Sequence, residues 1–330
     1  MDRLYALSTH LRQRYGGRVL KIPLDAGYSC PNRDGTIASD GCVFCNPAGS
    51  GSGLLSRGQD IPAQWAFWRS VHGGRGGVER YTAYLQSFSN THGPVERLAR
   101  TLDALAGLPG LVALSIGTRP DCLDPDKLDL LAERRDTLGL ADLTLELGLQ
   151  SANDATLAHI GRGHDSAAFA DAARAAARRG LTVVAHVMAG LPTPGGRVGR
   201  EDRDDLAATV DFVNGLPVRG IKFHNVYVAR GTRLARLHDR GEYEPPGLDE
   251  YLDQLGHALE RLSPATVVHR LNANPARGEL LAPAWAGNMR ALHNAVRVHL
   301  DAADIRQGRL CGAAAGPPPW FSPEYKGELP

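Results

Sequence analysis

Three cysteines stand close together near the start of the chain, with the spacing Cys30-x11-Cys42-x2-Cys45. Thiolates are preferred ligands of iron-sulfur clusters. Two cysteines three positions apart can bind neighbouring irons at one corner of a cubane, and the third cysteine can bind another iron from the side. Three thiolates leave one iron of a four-iron cluster open. The spacing therefore favours a 4Fe-4S cluster held by Cys30, Cys42 and Cys45.

An open iron would give such a cluster a specific chemical use. It can chelate the amino and carboxylate groups of the methionine portion of S-adenosylmethionine (SAM) and pass one electron into the sulfonium bond. The cysteine pattern thus indicates an enzyme that starts hydrogen-atom chemistry.

Two other interpretations of the cysteines stay open at this point. A structural zinc site needs four ligands, and the nearest histidines are not at finger-like spacing. A redox dithiol of Cys42 and Cys45 leaves Cys30 unexplained, and the pair lies in a loop rich in Gly, Asp and Asn. The remaining cysteines, Cys122 and Cys311, do not fit the cluster spacing, and Cys122 is expected to be a buried structural residue.

The elements that must position these residues follow a regular rhythm. Short apolar runs alternate with longer segments of helical spacing, and from the second run on their starts lie about 30 to 40 residues apart, the length of a strand plus a crossover helix. The predicted strands are 19–25, 81–87, 111–116, 143–147, 181–187 and 220–228. Six such units predict an α/β protein with a partial, open (β/α)6 barrel, since a closed barrel needs eight.

The rest of the chain divides around this barrel. We expect an N-terminal helical segment at 1–18, the barrel at 19–240 and a C-terminal helical extension packed on the barrel at 241–311. The tail 312–330 has a Gly/Ala run and three consecutive prolines, which predicts disorder. The glycine-rich segments 46–57 and 73–77 are expected to be mobile loops near the mouth of the barrel.

Bulk properties exclude several classes of protein. The formal net charge is +1, so any surface for a polyanion must be a local patch. No stretch approaches the roughly 20 apolar residues of a membrane-spanning helix, and the N-terminus lacks the apolar core of a signal peptide. Five cysteines, an odd number, argue against a secreted disulfide framework. A cytoplasmic protein without membrane association is therefore expected.

Six longer blocks carry a resemblance to known proteins. They are LDAGYSCPNRDGT, YLQSFSNT, LSIGTRPDCL, LELGLQSANDATLAHIGRGH, VVAHVMAGLP and GIKFHNVYVARGT. With these blocks in order between about residues 11 and 309, the chain resembles the YhcC/YtqA-like family of radical SAM proteins, which is related to the catalytic subunit of Elongator. The resemblance implies a radical SAM barrel with a 4Fe-4S cluster and SAM as cofactors.

The resemblance also implies roles for individual residues. Phe44 matches the position whose neighbourhood packs on the adenine of SAM, and the segment from Ser87 to Asn90 replaces the glycine-rich segment that meets the methionine amino group. Contacts to the methionine and ribose portions are implied for Glu146, Gln150 and Arg162. His186 and Lys222 are implied to point toward the substrate.

Some of these roles have alternatives in the residues themselves. Glu146 lies in an apolar strand and could be half of a buried ion pair with Arg119. His186, surrounded by valines, could be a hydrogen-bonded core residue. The chain also departs from the family: Gly161 replaces a larger polar residue, and Asn-Ala-Asn at 272–274 replaces a Thr-Gly-Asp element. These departures weaken any transfer of substrate identity.

The substrate expected from the resemblance is tRNA, modified at the wobble uridine, with a one-electron donor such as flavodoxin or ferredoxin as partner. Basic residues near the N-terminus and after the sixth strand are compatible with RNA binding. They are Arg3, Arg12, Arg14, Arg18, Lys21, Arg230, Arg233, Arg236 and Arg240. Radical chemistry on a small metabolite or peptide, and a non-catalytic Fe-S or zinc protein, stay as alternatives. Formation of 5'-deoxyadenosine from SAM would exclude the non-catalytic alternative.

Overall fold

Seven parallel strands form the main sheet, seen in a computed structural model that describes residues 3–46, 53–72, 78–195 and 199–312. In sheet order they are β1 (Val19–Leu24), β2 (Arg80–Leu85), β3 (Leu111–Thr118), β4 (Asp142–Gln150), β5 (Thr182–Ala189), β6 (Gly220–Asn225) and β8 (Val267–Arg270). A separate ribbon pairs β7 (Val228–Ala229) with β9 (Leu280–Ala282). The predicted tail from 313 on, the loop 73–77 and residues 47–52 lie outside the described residues.

Helices connect most of the strands. They are α1 (Leu7–Tyr15), α2 (Ile61–His72), α3 (Val95–Asp103), α4 (Pro125–Thr137), α5 (Asp154–His159), α6 (Ser166–Ala177), α7 (Arg203–Asn214), α8 (Arg233–Asp239), α9 (Leu248–Arg261) and α10 (Met289–Ala302). Local chemistry sets several starts: the Asp124 carboxylate accepts a 2.9 Å hydrogen bond from the backbone N–H of Lys127, and proline occupies the first helical position of α4.

The two faces of the sheet have different chemistry, which β4 shows most clearly. Its leucines, at 143, 145, 147 and 149, are buried in the core between the sheet and the surrounding helices. Because side chains alternate along a strand, Thr144, Glu146 and Gly148 face the opposite, concave side. The concave side is therefore where polar chemistry from several strands can meet.

The predicted fold class is confirmed, but the C-terminal extension contributes more than helices. Residues of β8 add a seventh parallel strand next to β6, with Ile221 opposite Val268 and Lys222 opposite Arg270. The prediction missed this strand because four residues between α9 and a loop are too few to show a period. Pairing across the sheet, and not a local pattern, determines its conformation.

The sheet does not close, so β1 and β8 are its two edges. The N-terminal segment partly covers this gap. The backbone N–H of Val268 donates to the Tyr5 carbonyl at 2.7 Å, and α1 then leads into β1. No helix in the described part of the chain is long and apolar enough to cross a membrane.

Candidate functional site

The three cysteines lie in the loop that follows β1, at the carboxyl end of the sheet. Cys42 is buried, Cys30 and Cys45 are partly exposed, and all three are free thiols. The N–H of Cys45 donates to the carbonyl of Cys42 at 2.9 Å, which forms a tight turn. Burial raises the pKa of Cys45, and the nearby sulfur atoms of Cys42 and Cys30 raise it further. The loop thus brings the three sulfurs into one neighbourhood.

The loop is held in place by the segment after α5. The Asn32 side-chain amide donates to the carbonyls of Gly161 and Arg162, both at 2.9 Å, and the N–H of Val43 donates to the carbonyl of Ile160 at 2.9 Å. Gly41 is required within the loop, since its φ is +74° and a Cβ there would lie 3.2 Å from the Cys45 Cβ. Segments far apart in sequence therefore fix the cysteine positions.

Three side chains direct N–H groups at the sulfurs. Arg33 Nη1 lies 3.2 Å from Cys45 Sγ, Asn32 Nδ2 lies 3.4 Å from Cys42 Sγ, and Arg162 Nη1 lies 3.8 Å from the same sulfur. Cationic and N–H groups near sulfur stabilise thiolates and tune the clusters that they bind. The surroundings of the sulfurs therefore suit an anionic iron-sulfur cluster.

The donor set of the cysteine loop can be compared with the needs of a cubane and of a single metal ion. Among the described residues, no three His, Cys, Asp or Glu side chains converge as ligands of one ion must. In a 4Fe-4S cluster each thiolate binds a different iron, so the three sulfurs need not converge on one point. The three thiols and their N–H partners fit a 4Fe-4S cluster that has one open iron.

Beside the cysteine loop, the segment after β2 buries polar atoms that have no partner in the described structure. These atoms are Ser87 Oγ and Asn90 Oδ1. The N–H of Ser89 donates to the carbonyl of Ser29 at 3.1 Å, so this segment adjoins Cys30. A buried polar atom without a partner costs about 1 to 3 kcal/mol, and it commonly marks a ligand position. The predicted methionine-binding segment thus has polar atoms available for a ligand.

Two further predicted residues meet at the end of β4. Arg162 donates from Nη2 to the carbonyl of Gly148 at 2.7 Å, and Gln150 has a left-handed φ of +78°. An ideal Cβ at Gly148 would lie 2.3 Å from Arg162 Nη2 and 2.6 Å from Gln150 Nε2, so the ends of both side chains lie against this glycine. The structure therefore places Arg162 and Gln150 together beside Cys42. Phe44 packs, half-buried, on the apolar cluster that contains Val43 and Leu191.

Glu146 lies deeper in the barrel, within an ionic cluster. Its side chain is fully buried, with Oε1 2.7 Å from Lys21 Nζ and Oε2 3.0 Å from His186 Nε2. Lys222 Nζ also contacts Oε2, and both lysines lie 4.6 Å from the centre of the Tyr84 ring. We refer to these five side chains as the interior cluster.

This geometry corrects the ion pair considered for Glu146. Arg119 does not contact Glu146, because its guanidinium pairs with Asp121 at 2.7 Å and donates to the Arg162 carbonyl at 2.8 Å. The partners of Glu146 come from β1, β5 and β6, across the barrel. Sequence analysis grouped Lys21 with the basic residues compatible with RNA binding, and its ion pair with the buried Glu146 corrects that grouping. Tyr84 was not singled out, and the one sequence signal for the cluster was a lysine within the apolar strand VLKIPL.

Burial and charge shift the titration of the interior cluster in opposite directions. Burial opposes ionisation of Glu146, but Lys21 and Lys222 hold its pKa well below the usual range. Burial lowers the pKa of Lys222 to about 7 although Glu146 opposes this shift, and burial lowers that of His186 to about 4. His186 is therefore neutral near pH 7, and its hydrogen bond to Glu146 agrees with the alternative of a hydrogen-bonded core residue.

Comparison with known proteins agrees with the sequence resemblance. The model of the Radical SAM superfamily matches residues 35–197, and that of the Radical_SAM C-terminal domain matches residues 218–300. YtqA of Bacillus subtilis (strain 168) is 34% identical over 93% of this chain and 92% of its own length. YhcC of Escherichia coli (strain K12) is 36% identical over 84% of this chain and 86% of its own.

More distant similarity extends to Elongator. Elongator complex protein 3 of Danio rerio is 30% identical over 55% of this chain but only 31% of its own length. The structure of the archaeal Methanocaldococcus infernus Elp3 with an N-terminal deletion covers 88% of this chain and 64% of that chain, with a TM-score of 0.63 and 18% identity. The latter similarity shows the shared fold alone.

Proposed function

This chain belongs to the radical SAM superfamily, with YtqA and YhcC as relatives, and we propose that it modifies the wobble uridine of tRNA by hydrogen abstraction. The chain is an enzyme, and its cofactors are the 4Fe-4S cluster and SAM that members of this superfamily use. The single observation that carries the proposed site is the three-cysteine loop with buried, partnerless polar atoms beside it.

Cys30, Cys42 and Cys45 would hold the cluster, each through one iron. When bound, the two cofactors supply reductive cleavage of SAM to methionine and a 5'-deoxyadenosyl radical, which removes a hydrogen atom from the substrate. Arg33 and Asn32 would place N–H groups on the sulfurs of Cys45 and Cys42, which offsets the negative charge of the cluster.

The residues around the loop would bind and orient SAM. Asn90 Oδ1 and Ser87 Oγ can accept hydrogen bonds from the methionine ammonium group. Gln150 and Arg162, which meet over Gly148, would contact the methionine and ribose portions. Phe44 would contribute an apolar surface for the adenine.

The interior cluster would act as a positioning element beneath this site. Both carboxylate oxygens of Glu146 are engaged by Lys21, Lys222 and His186, so a ligand that contacts Glu146 must share it with these groups. We assign Glu146 and His186 a positioning role, in which they hold the ammonium groups of the two lysines in fixed positions inside the barrel. Lys222, which the resemblance implies to point toward the substrate, would be the member that meets a substrate group.

The tRNA substrate is supported by similarity to Elongator complex protein 3, which covers only 31% of that protein's length. A tRNA substrate places the enzyme in the cytoplasm, where flavodoxin or ferredoxin would serve as one-electron donor. Deleting the gene and comparing tRNA nucleosides by mass spectrometry tests this proposal. Loss of one modified wobble uridine, restored by the wild-type gene but not by a Cys42→Ala gene, is the expected result. An unchanged nucleoside profile would refute the tRNA assignment.

A further inference from the structure

A groove runs along the open edge of the barrel, on the side away from the cysteine loop. It is about 550 Å³ in volume and lies among α1, the start of β1, β8 and α10. It exists because the sheet stays open between its edge strands β1 and β8. We call it the edge groove. Its charged lining residues are Arg12, Arg18 and Arg270, with His293 beside them.

The charged residues that line the edge groove are all basic. No Asp or Glu is among its lining residues, and Arg12, Arg18 and Arg270 are all exposed. Within the described part of the chain, the guanidinium groups of these three arginines have no hydrogen bond or ion pair. By contrast Arg3, another basic residue near the N-terminus, reaches Asp301 at 2.6 Å and Asp304 at 2.8 Å. In a chain of net charge +1, three unpaired guanidinium groups at one groove form a local anion-binding surface.

The position of the edge groove favours RNA over an acidic protein partner. An acidic electron donor has to approach the cysteine loop, which follows the carboxyl end of β1, whereas the groove is lined by residues 17–20 at the start of that strand. Arg270 lies opposite Lys222 in the pairing of β6 with β8. The groove therefore adjoins β6, the strand that carries Lys222, which the resemblance implies to point toward the substrate.

We propose that the edge groove binds the phosphate backbone of the RNA substrate, outside the reacting nucleotide. This proposal rests on the proposed function. Arginine binds phosphate with two parallel hydrogen bonds, and each such contact releases counterions and makes affinity depend on salt. The groove is also lined by Leu11 and Val268, on which the aliphatic parts of arginine side chains can pack.

The test measures binding of bulk bacterial tRNA by fluorescence anisotropy between about 50 and 200 mM salt, the range over which phosphate contacts dominate. The Arg12→Gln/Arg18→Gln double variant should raise Kd roughly tenfold and lower the salt slope by about 2, and adding Arg270→Gln should lower it by about 1 more. The control, Arg100→Gln/Arg174→Gln/Arg178→Gln, removes the same charge from outer helices and should bind as the wild type does. Each variant should keep the wild-type circular dichroism spectrum.

Two results would overturn the edge groove as an RNA site. One is a double variant that binds tRNA with the wild-type Kd and salt slope. The other is displacement of tRNA by poly-glutamate at equal charge concentration, which would indicate an acidic protein instead. Failure of the proposed function looks different: the double variant would lose tRNA binding, but the gene deletion would leave every tRNA nucleoside unchanged. In that case the groove stands as an RNA site and the assigned modification does not.

Discussion

The cysteine loop and the interior cluster differ in how their polar groups are satisfied. In the interior cluster, Glu146 contacts Lys21, Lys222 and His186, so its charge is neutralised within the protein. Beside the cysteine loop, Ser87 Oγ and Asn90 Oδ1 are buried without partners in the described structure, and three N–H groups point at free sulfurs. In the first region the carboxylate is paired within the protein, and in the second region polar atoms are left for a ligand.

Loss of a cluster cysteine should give the largest effect, because no other group can replace a thiolate in the loop. Cys42→Ala should abolish the visible absorbance of the anaerobically reconstituted protein and reduce 5'-deoxyadenosine formation to background. Cys122→Ser is the matched control, since Cys122 is buried but lies outside the loop. Equal cluster content in the two variants would contradict the assignment of Cys42.

Removing the charge of Glu146 should be the largest change in folding stability. Glu146→Gln leaves Lys21 and Lys222 side by side without their carboxylate, and breaking a buried ion pair in this way costs about 3 to 5 kcal/mol. Urea unfolding of the protein without cofactors measures it. The control Glu133→Gln removes a carboxylate whose side chain is 61% exposed and should cost under about 0.5 kcal/mol. Equal losses of unfolding free energy in the two variants would show that the charge of Glu146 is not coupled to Lys21 and Lys222.

Lys222 should make stability depend on pH. Burial lowers its folded pKa to about 7 from an ordinary value of 10.5, so between these values the unfolded chain binds more protons and stability rises with pH. The unfolding free energy of the wild type minus that of Lys222→Met should increase by about 1 kcal/mol per pH unit from pH 7 to 9. Parallel pH profiles would show that Lys222 keeps its proton in the folded state.

Substitution of Ser87 should have the smallest effect of these changes, and it should separate SAM affinity from folding stability most clearly. Ser87→Ala removes a partnerless hydroxyl, so unfolding free energy should stay constant while the Kd for SAM rises roughly 3- to 10-fold, the value of about one hydrogen bond. Ser89→Ala is the converse, because the Ser89 hydroxyl already bonds Thr118 at 2.9 Å. It should cost about 1 kcal/mol of stability and leave SAM affinity near the wild-type value. If Ser87→Ala lowered stability and Ser89→Ala weakened SAM binding, Ser89 would be the SAM ligand and Ser87 the structural residue.

The sequence predicted features that depend on neighbours along the chain. The cysteine loop, the first six strands and the start of α4 at Asp124 follow from local spacing and capping. The sequence did not predict β8, whose four residues become a strand only by pairing with β6. Nor did it predict that Lys21 and Lys222, at opposite ends of the barrel sequence, meet at Glu146, because that contact depends on how the strands curve around the concave side.

The central claim is that three thiolates leave one iron for SAM, and product formation tests it most directly. Anaerobically reconstituted protein should contain about four irons and be reduced by dithionite, and it should then convert SAM to 5'-deoxyadenosine and methionine in equal amounts. A colourless protein that retains only zinc and leaves SAM intact under strong reductant would contradict the account.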